Sequence, residues 1–241
     1  MINLFTDFGY NGPYVGQMKS VLASAAPHIP VIDLMHDAPT FNSRASAILL
    51  SALSAYMSQE SITVAVIDPG VGNPERKALM IEADGRWFVG PDNGLFQRIV
   101  ETSSTVTCYE LLVEHDISKT FHGRDVFAPA AGQLAKGILP NSLKIEANSL
   151  VTQNIAANSA EIIYIDHYGN AMSGVHADGI HPDQFIIIDG QTIGFAETFS
   201  SVSKGRLFWY INSIGLVEIS INSGNAAMEQ QLFIGKTFEV T

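Results

Sequence analysis

The chain has 241 residues, enough for one large hydrophobic core or for one large and one small core. Apolar residues make up 46% and charged residues 15%, the composition of a folded protein with little disorder. The formal charge of −11, with no basic stripe, argues against a nucleic-acid partner, since neutralising phosphates needs clustered Lys and Arg.

The first residues run directly into a strand, Ile2 to Thr6, with no basic segment ahead of an apolar run. No apolar stretch approaches the ~20 residues that span a bilayer. A cytoplasmic protein without a membrane partner is expected. Pro13 suits the first turn of a helix, where its missing N–H costs nothing, and Val15, Met18, Val21, Leu22 and Ala25 follow at helical spacing. Val31 to Met35 predicts a second strand. Asn42 or Ser43 can cap a second helix with the apolar face Ala45, Ile48, Leu49, Ala52, Leu53 and Tyr56. Ile62 to Ile67 is continuously apolar, as a strand covered on both faces must be.

Asp84-Gly85 joins two β-like runs, Ala78 to Ala83 and Arg86 to Val89, as a hairpin. Leu95 to Val100 predicts a short helix. The single cysteine, Cys108, excludes an intrachain disulfide or a thiolate zinc cluster, and its alternating neighbours predict a buried strand position. Arg124 to Lys136 carries Val126, Phe127, Ala130, Ala131 and Leu134 on one helical face, with Gly137 as the stop. Residues 140–160 are polar and turn-prone. Beyond them the runs are short and β-like: Ile162 to Ile165, Phe185 to Ile188, Leu207 to Ile211, Leu216 to Ile221 and Thr237 to Val240, with turn signals at Asp189-Gly190 and Ser223-Gly224. The expected architecture is a Rossmann-like α/β domain over residues 1–150, a linker over 151–159 and a small all-β barrel domain over 160–241.

The chemistry-bearing segments follow apolar runs: Phe5-Thr6-Asp7-Phe8-Gly9, Asp68-Pro69-Gly70-Val71-Gly72, Gly90-Pro91-Asp92-Asn93-Gly94 and Thr120-Phe121-His122-Gly123-Arg124-Asp125. In an open α/β sheet, ligands bind at such strand ends. Asp7 can hold a vicinal diol through both oxygens, or it can order its own turn; spacing leaves both open. Gly70 and Gly72 let backbone approach a ligand, and Arg76 can fold back on Asp68 as a structural ion pair or as part of a site. His122 sits just before a helix start, where neighbours can tune its protonation. His36 and Asp37 after the second strand can join it. A metal held by Asp7, Asp37, His36 and His122 is conceivable, but no metal-ligand spacing supports it. Tyr168-Gly169-Asn170, after Asp166, is either a hairpin turn or a pocket wall.

Taken together and in order, these segments resemble the S-adenosyl-L-methionine (SAM) hydroxide adenosyltransferase family, relatives of the fluorinase and chlorinase enzymes. The resemblance also rests on Asp166-His167-Tyr168-Gly169-Asn170, Asn212-Ser213 and Gly224-Asn225-Ala226-Ala227. It implies an N-terminal α/β domain, a C-terminal β-barrel, and a homotrimer with SAM between the α/β domain of one subunit and the barrel of the next. Such interfaces would account for a charged fraction below the usual quarter. By resemblance, Asp68, Arg76 and His122 form the set that positions and activates water. Asp7 grips the ribose hydroxyls, Asn170 faces adenine, Asp166 and Ser213 stand near the methionine end, and Phe41 is an aromatic wall. The matched motifs add Phe8, Val71, Thr120, Phe121, Tyr168 and Ala226 as substrate contacts. The chain departs from the family at Tyr168 (more often Phe), Ser173-Gly174 (usually Thr-Asn) and Asn225 (usually Ser), all on the β-domain side.

The implied reaction is hydrolysis of SAM to adenosine and L-methionine. A sulfonium is a good leaving group, so neither cofactor nor metal is expected. The weak partner is water, which must be held in line with the C5′–S bond. A carboxylate at that place would repel a halide, and a desolvated halide wants neutral donors. A halide-using adenosyl transferase, a non-catalytic SAM or adenosine sensor and a metal-dependent hydrolase are the competing readings.

Overall fold

A computed structural model describes residues 1–113 and 118–241. The chain divides into two compact units, Met1–Gln153 and Asn154–Thr241.

The first unit is built on a seven-stranded sheet. Its strands are β1 (Ile2–Thr6), β2 (Val31–Met35), β3 (Ile62–Val66), β4 (Ala78–Ala83), β5 (Arg86–Pro91), β6 (Val106–Leu111) and β7 (Ser142–Ile145), in the spatial order β2-β1-β3-β5-β4-β6-β7. β2, β1, β3 and β5 run parallel, while β4 and β7 pair antiparallel with their neighbours. The helices are α1 (Pro13–Ala25), α2 (Ser43–Ser54), α3 (Gln97–Thr102) and α4 (Ala128–Leu134). Strand residues Ile2, Leu4, Val64 and Val66 share one core cluster with Met18 and Leu22 of α1 and Ala128, Ala130 and Ala131 of α4. Asn42 caps α2 by accepting from the Ala45 amide at 3.0 Å, and the Asp84-Gly85 hairpin has both residues at positive φ, as a tight two-residue turn requires. Cys108 is buried on β6.

The helix expected over Arg124 to Lys136 is interrupted. Gly123–Phe127 forms a π-helical turn and α4 proper begins at Ala128. Pro129 has no N–H to carry one α register through the junction, and a π turn absorbs the mismatch. β7 lies in the stretch that reads as polar and turn-prone. It is a largely exposed edge strand, so its alternation carries little apolar signal.

The second unit holds β8 (Ser159–Ile165), β9 (Ala171–His176), β10 (Ile186–Ile188), β11 (Gln191–Ile193), β12 (Leu207–Ile211), β13 (Leu216–Ile221) and β14 (Glu239–Val240), with the one-turn helix α5 (Ala226–Glu229). Among the described residues the strands form a four-stranded sheet, β12-β13-β9-β8, and a separate three-stranded sheet, β11-β10-β14, rather than one closed barrel. Ile162, Val175, Ile188, Trp209, Val217 and Ile219 contribute to its core. Among the described residues, no helix is long and apolar enough to cross a membrane.

Candidate active site

The four parallel strands end at one sheet edge. Asp7 follows β1, His36 follows β2, Asp68 follows β3 after one intervening residue, and Asp92 follows β5. The turn after β3 is built around Asp68. Its Oδ1 accepts from the Gly70 amide at 3.3 Å and forms an ion pair with the Arg76 guanidinium. A Cβ on Gly70 would stand 2.7 Å from that guanidinium, so glycine lets the arginine lie over the turn. Gly72 has φ +87, and a Cβ there would meet the Lys119 carbonyl at 2.6 Å. That close approach brings the segment leading to His122 alongside the Asp68 turn. Asn93 ties down the end of the third strand by donating to the Ile67 carbonyl at 2.7 Å.

Asp68, Arg76 and His122 line one cavity of about 370 Å³, together with Lys77, Lys119 and Phe127. The Asp68 side chain is only 5% exposed. A carboxylate fixed by a guanidinium and an imidazole facing the same space can orient a water molecule and accept its proton.

Asp7 accepts from the Phe41 amide at 2.9 Å. Burial raises its carboxyl above the ordinary value; the Phe41 amide pulls the other way and the charge of Asp68 adds to the rise. Phe41 sits at φ +57 with its side chain largely in solvent, an unusual backbone conformation for a bulky residue. Phe8 packs its ring against Tyr14 and Phe121, each centroid at 5.7 Å. Val71 and Thr120 are exposed. Arg124 and Asp125 pair with each other, and Arg124 also donates to Gln17.

His36 is buried, with Nδ1 2.9 Å from the Thr6 hydroxyl and Nε2 3.2 Å from Asp33, so it braces the exit of the first strand. Among the described residues, no group of three or more His, Cys, Asp or Glu side chains is arranged to hold a metal ion. Asp92 accepts from the Val151 amide at 2.9 Å and lines a different, largely apolar cavity of about 270 Å³.

In the second unit, Asp166, Tyr168, Asn170 and Ser213 line one cavity of about 640 Å³. Asp166 Oδ1 accepts from the Tyr168 and Asn170 amides, both at 2.9 Å, and Oδ2 accepts from Asn170 Nδ2 at 2.8 Å. The carboxylate therefore shapes the Tyr168-Gly169-Asn170 turn. Ala226 has no exposed surface and packs into the unit's core, so its side chain is away from the cavity. Asn225 caps α5 through the Met228 amide at 2.8 Å, a task a serine performs equally well. Ser173 is buried and donates to the Val217 carbonyl at 3.0 Å. Three further cavity residues, Phe199, Tyr210 and Glu218, carried no sequence expectation. The available signal was one carboxylate inside the apolar run Leu216 to Ile221.

An α/β unit with an Asp–Arg pair and a histidine around one cleft, followed by an all-β unit with its own polar cavity, has close counterparts. The family model described as SAM hydroxide adenosyltransferase N-terminal domain matches residues 2–144, and the C-terminal domain model matches residues 160–239. The chain belongs to the SAM hydroxide adenosyltransferase family. It is 34% identical to the (R)-S-adenosyl-L-methionine hydrolase of Thermus thermophilus, covering 93% of each chain, and 32% identical to that of Salinispora tropica, over 94% of this chain and 92% of the relative. A fluorinase from an Actinoplanes species is 22% identical, over 100% of this chain and 97% of the relative. The fold matches a solved conserved protein of Thermotoga maritima with TM-score 0.91 and 26% identity, covering 100% of both chains.

Proposed function

We propose that this protein hydrolyses SAM to adenosine and L-methionine by in-line attack of water on ribose C5′. The observation that carries the reading is the Asp68–Arg76 ion pair facing the same cavity as His122, in a family whose relatives above 30% identity are named SAM hydrolases. The C5′–O bond forms as the C5′–S bond breaks, and methionine leaves as a neutral thioether with the bonding pair. Asp68 and His122 hold the water and take its proton, while Arg76 holds the Asp68 carboxylate in place and stabilises hydroxide-like charge. Asp7 grips the ribose hydroxyls, with Phe8, Phe41, Val71, Thr120 and Phe121 as surrounding contacts. Asp166, Tyr168, Asn170 and Ser213 serve adenine and the methionine end. Ala226 contributes through backbone alone, because its side chain is in the core.

The test is repeated turnover in halide-free buffer containing a chelator, read by chromatography. Adenosine and methionine in equal amounts are expected, with no cofactor or metal required. Bound SAM without products would point to a sensor. A 5′-halo nucleoside formed on adding chloride or fluoride would point to the chemistry of the fluorinase relatives. We further propose a homotrimer in the cytoplasm, with each SAM shared between subunits; light scattering should give about three times the 26.0 kDa chain mass.

The Asp7 role has a pH signature. Only the ionised carboxylate accepts from both hydroxyls, and burial has moved its titration upward. KM for SAM should therefore rise as pH falls toward the Asp7 titration, and at a higher pH than an ordinary aspartate would give. Asp7→Asn should raise KM at neutral pH by roughly tenfold to a hundredfold, the worth of a hydrogen bond to a charged group, and abolish that acid limb. An unchanged acid limb in the variant would assign it to another group.

A further inference from the structure

We propose that Glu218 is a specificity-determining residue: with Asp166 it makes the cavity of the C-terminal unit select the cationic part of its ligand. The inference rests on SAM being the substrate and adds a residue that neither motif nor family resemblance singled out.

Along β13 the odd-numbered residues Val217, Ile219 and Ile221 enter the core. Glu218 has the opposite phase and so faces the other side of the sheet. There it is flanked across the ladders by Tyr210 on β12 and Met172 on β9, and all three line the cavity. It is 2% exposed. Oε1 accepts from the Tyr210 hydroxyl at 2.5 Å and Oε2 accepts from Asn212 Nδ2 at 2.8 Å. Both donors are neutral. Among the described residues lining the cavity, none is Lys, Arg or His, whereas Asp166 stands in the same wall.

A buried carboxylate without a counter-charge is costly to keep ionised. Burial accordingly pushes the Glu218 carboxyl upward; the hydrogen bonds from Tyr210 and Asn212 pull the other way, and the charge of Asp166 adds to the rise. A cation entering the cavity offsets that cost, and a neutral ligand does not. The rings of Phe199 and Tyr210, 5.3 Å apart, line the same space, and aromatic rings attract a cation. SAM carries a sulfonium, an ammonium and a carboxylate, a net charge of +1, whereas adenosine carries no charge. Selection by charge would favour the substrate over one of its own products.

The competing role is a brace. Glu218 orients Asn212, whose Oδ1 accepts from the Ile214 and Leu216 amides at 3.1 and 3.0 Å and so shapes the turn bearing Ser213. Glu218→Gln separates the two roles. Its amide oxygen can still accept from Asn212 and its NH2 can donate to the Tyr210 oxygen, but the charge is gone.

The experiment is calorimetric titration with SAM and with adenosine, in an Asp68→Asn parent that turns over slowly. The expected result for the Glu218→Gln variant is a fall of about tenfold or more in the ratio of SAM affinity to adenosine affinity. Equal losses for both ligands, or no loss for either, would overturn the proposal. Glu218→Met, a second neutral near-isostere judged by the same ratio, serves if the glutamine variant does not fold. A parent that binds no SAM would sink the substrate reading, and this inference with it. A parent that binds SAM while the ratio stays fixed would sink this inference alone.

Discussion

Replacing Asp68 by asparagine should lower kcat for SAM hydrolysis by a factor of about 10²–10⁴, the usual worth of a positioned general base. KM should change little. A buried strand, Ile62–Val66, is followed by Asp68 at the sheet edge, in a turn where Gly70 leaves room for the Arg76 guanidinium. Arg76 is committed to that carboxylate. Asparagine can still accept from the guanidinium, so the turn should persist. What disappears is the negative charge proposed to accept the proton as the C5′–O bond forms. His122→Ala should show a comparable loss, because the imidazole faces the same cavity. Since both groups would act on one water, the double variant should be little worse than the poorer single variant. Steady-state product formation, with thermal melts of each variant to check folding, measures all three. Single variants within twofold of the parent in kcat would remove these residues from the chemistry. Fully multiplicative losses would mean that the two groups act on separate events.

Much of this site was legible because its residues follow strands of strong apolar character. β1 and β3 are buried along their whole length, so the acids just beyond them mark the sheet edge. Asp68, Arg76 and His122 were readable as one set at the sheet edge; the packing that gives them one cavity was not. It depends on the close approach of the Lys119 carbonyl to Gly72, a tertiary contact between segments nearly fifty residues apart. Asp92 illustrates the opposite case. It belongs to a motif of the same appearance as the others, yet its carboxylate accepts from Val151 and it lines a different cavity. β9 reads Ala-Met-Ser-Gly-Val-His, with one β-branched residue, and becomes a central strand only because β13 and β8 pair on either side. Glu218 was visible as a charge in an apolar run, but its meaning required knowing that the opposite phase of that strand faces a cavity.

Gly90→Ala should have the largest effect on stability, about 3 kcal/mol or more of lost folding free energy, beyond the usual range for overpacking by one methyl. Gly90 belongs to β5, and its φ is not in the left-handed region, so backbone freedom is not the reason for glycine. The reason is space. A Cβ there would lie 2.1 Å from the Ala65 carbonyl oxygen and 2.9 Å from the Phe96 ring. The ring can turn, but the carbonyl cannot move freely. Ala65 is paired with Phe5 of β1 on its other side, so β3 is held between two neighbours. Any shift of β3 would pass to Asp68 three residues later, and so to the ion pair at the cavity. A melting temperature lowered by roughly 6–12 °C is expected for a chain of this size, together with a loss of kcat in the fraction that folds. Gly16→Ala is the control: it lies in α1 with nothing within 4 Å of the added methyl. That substitution should stabilise by about 0.5–1 kcal/mol, the helix preference of alanine over glycine. If Gly90→Ala melted within about 2 °C of the parent, β3 and β5 would have to be able to separate, and the rigidity assigned to the Asp68 turn would fail with it.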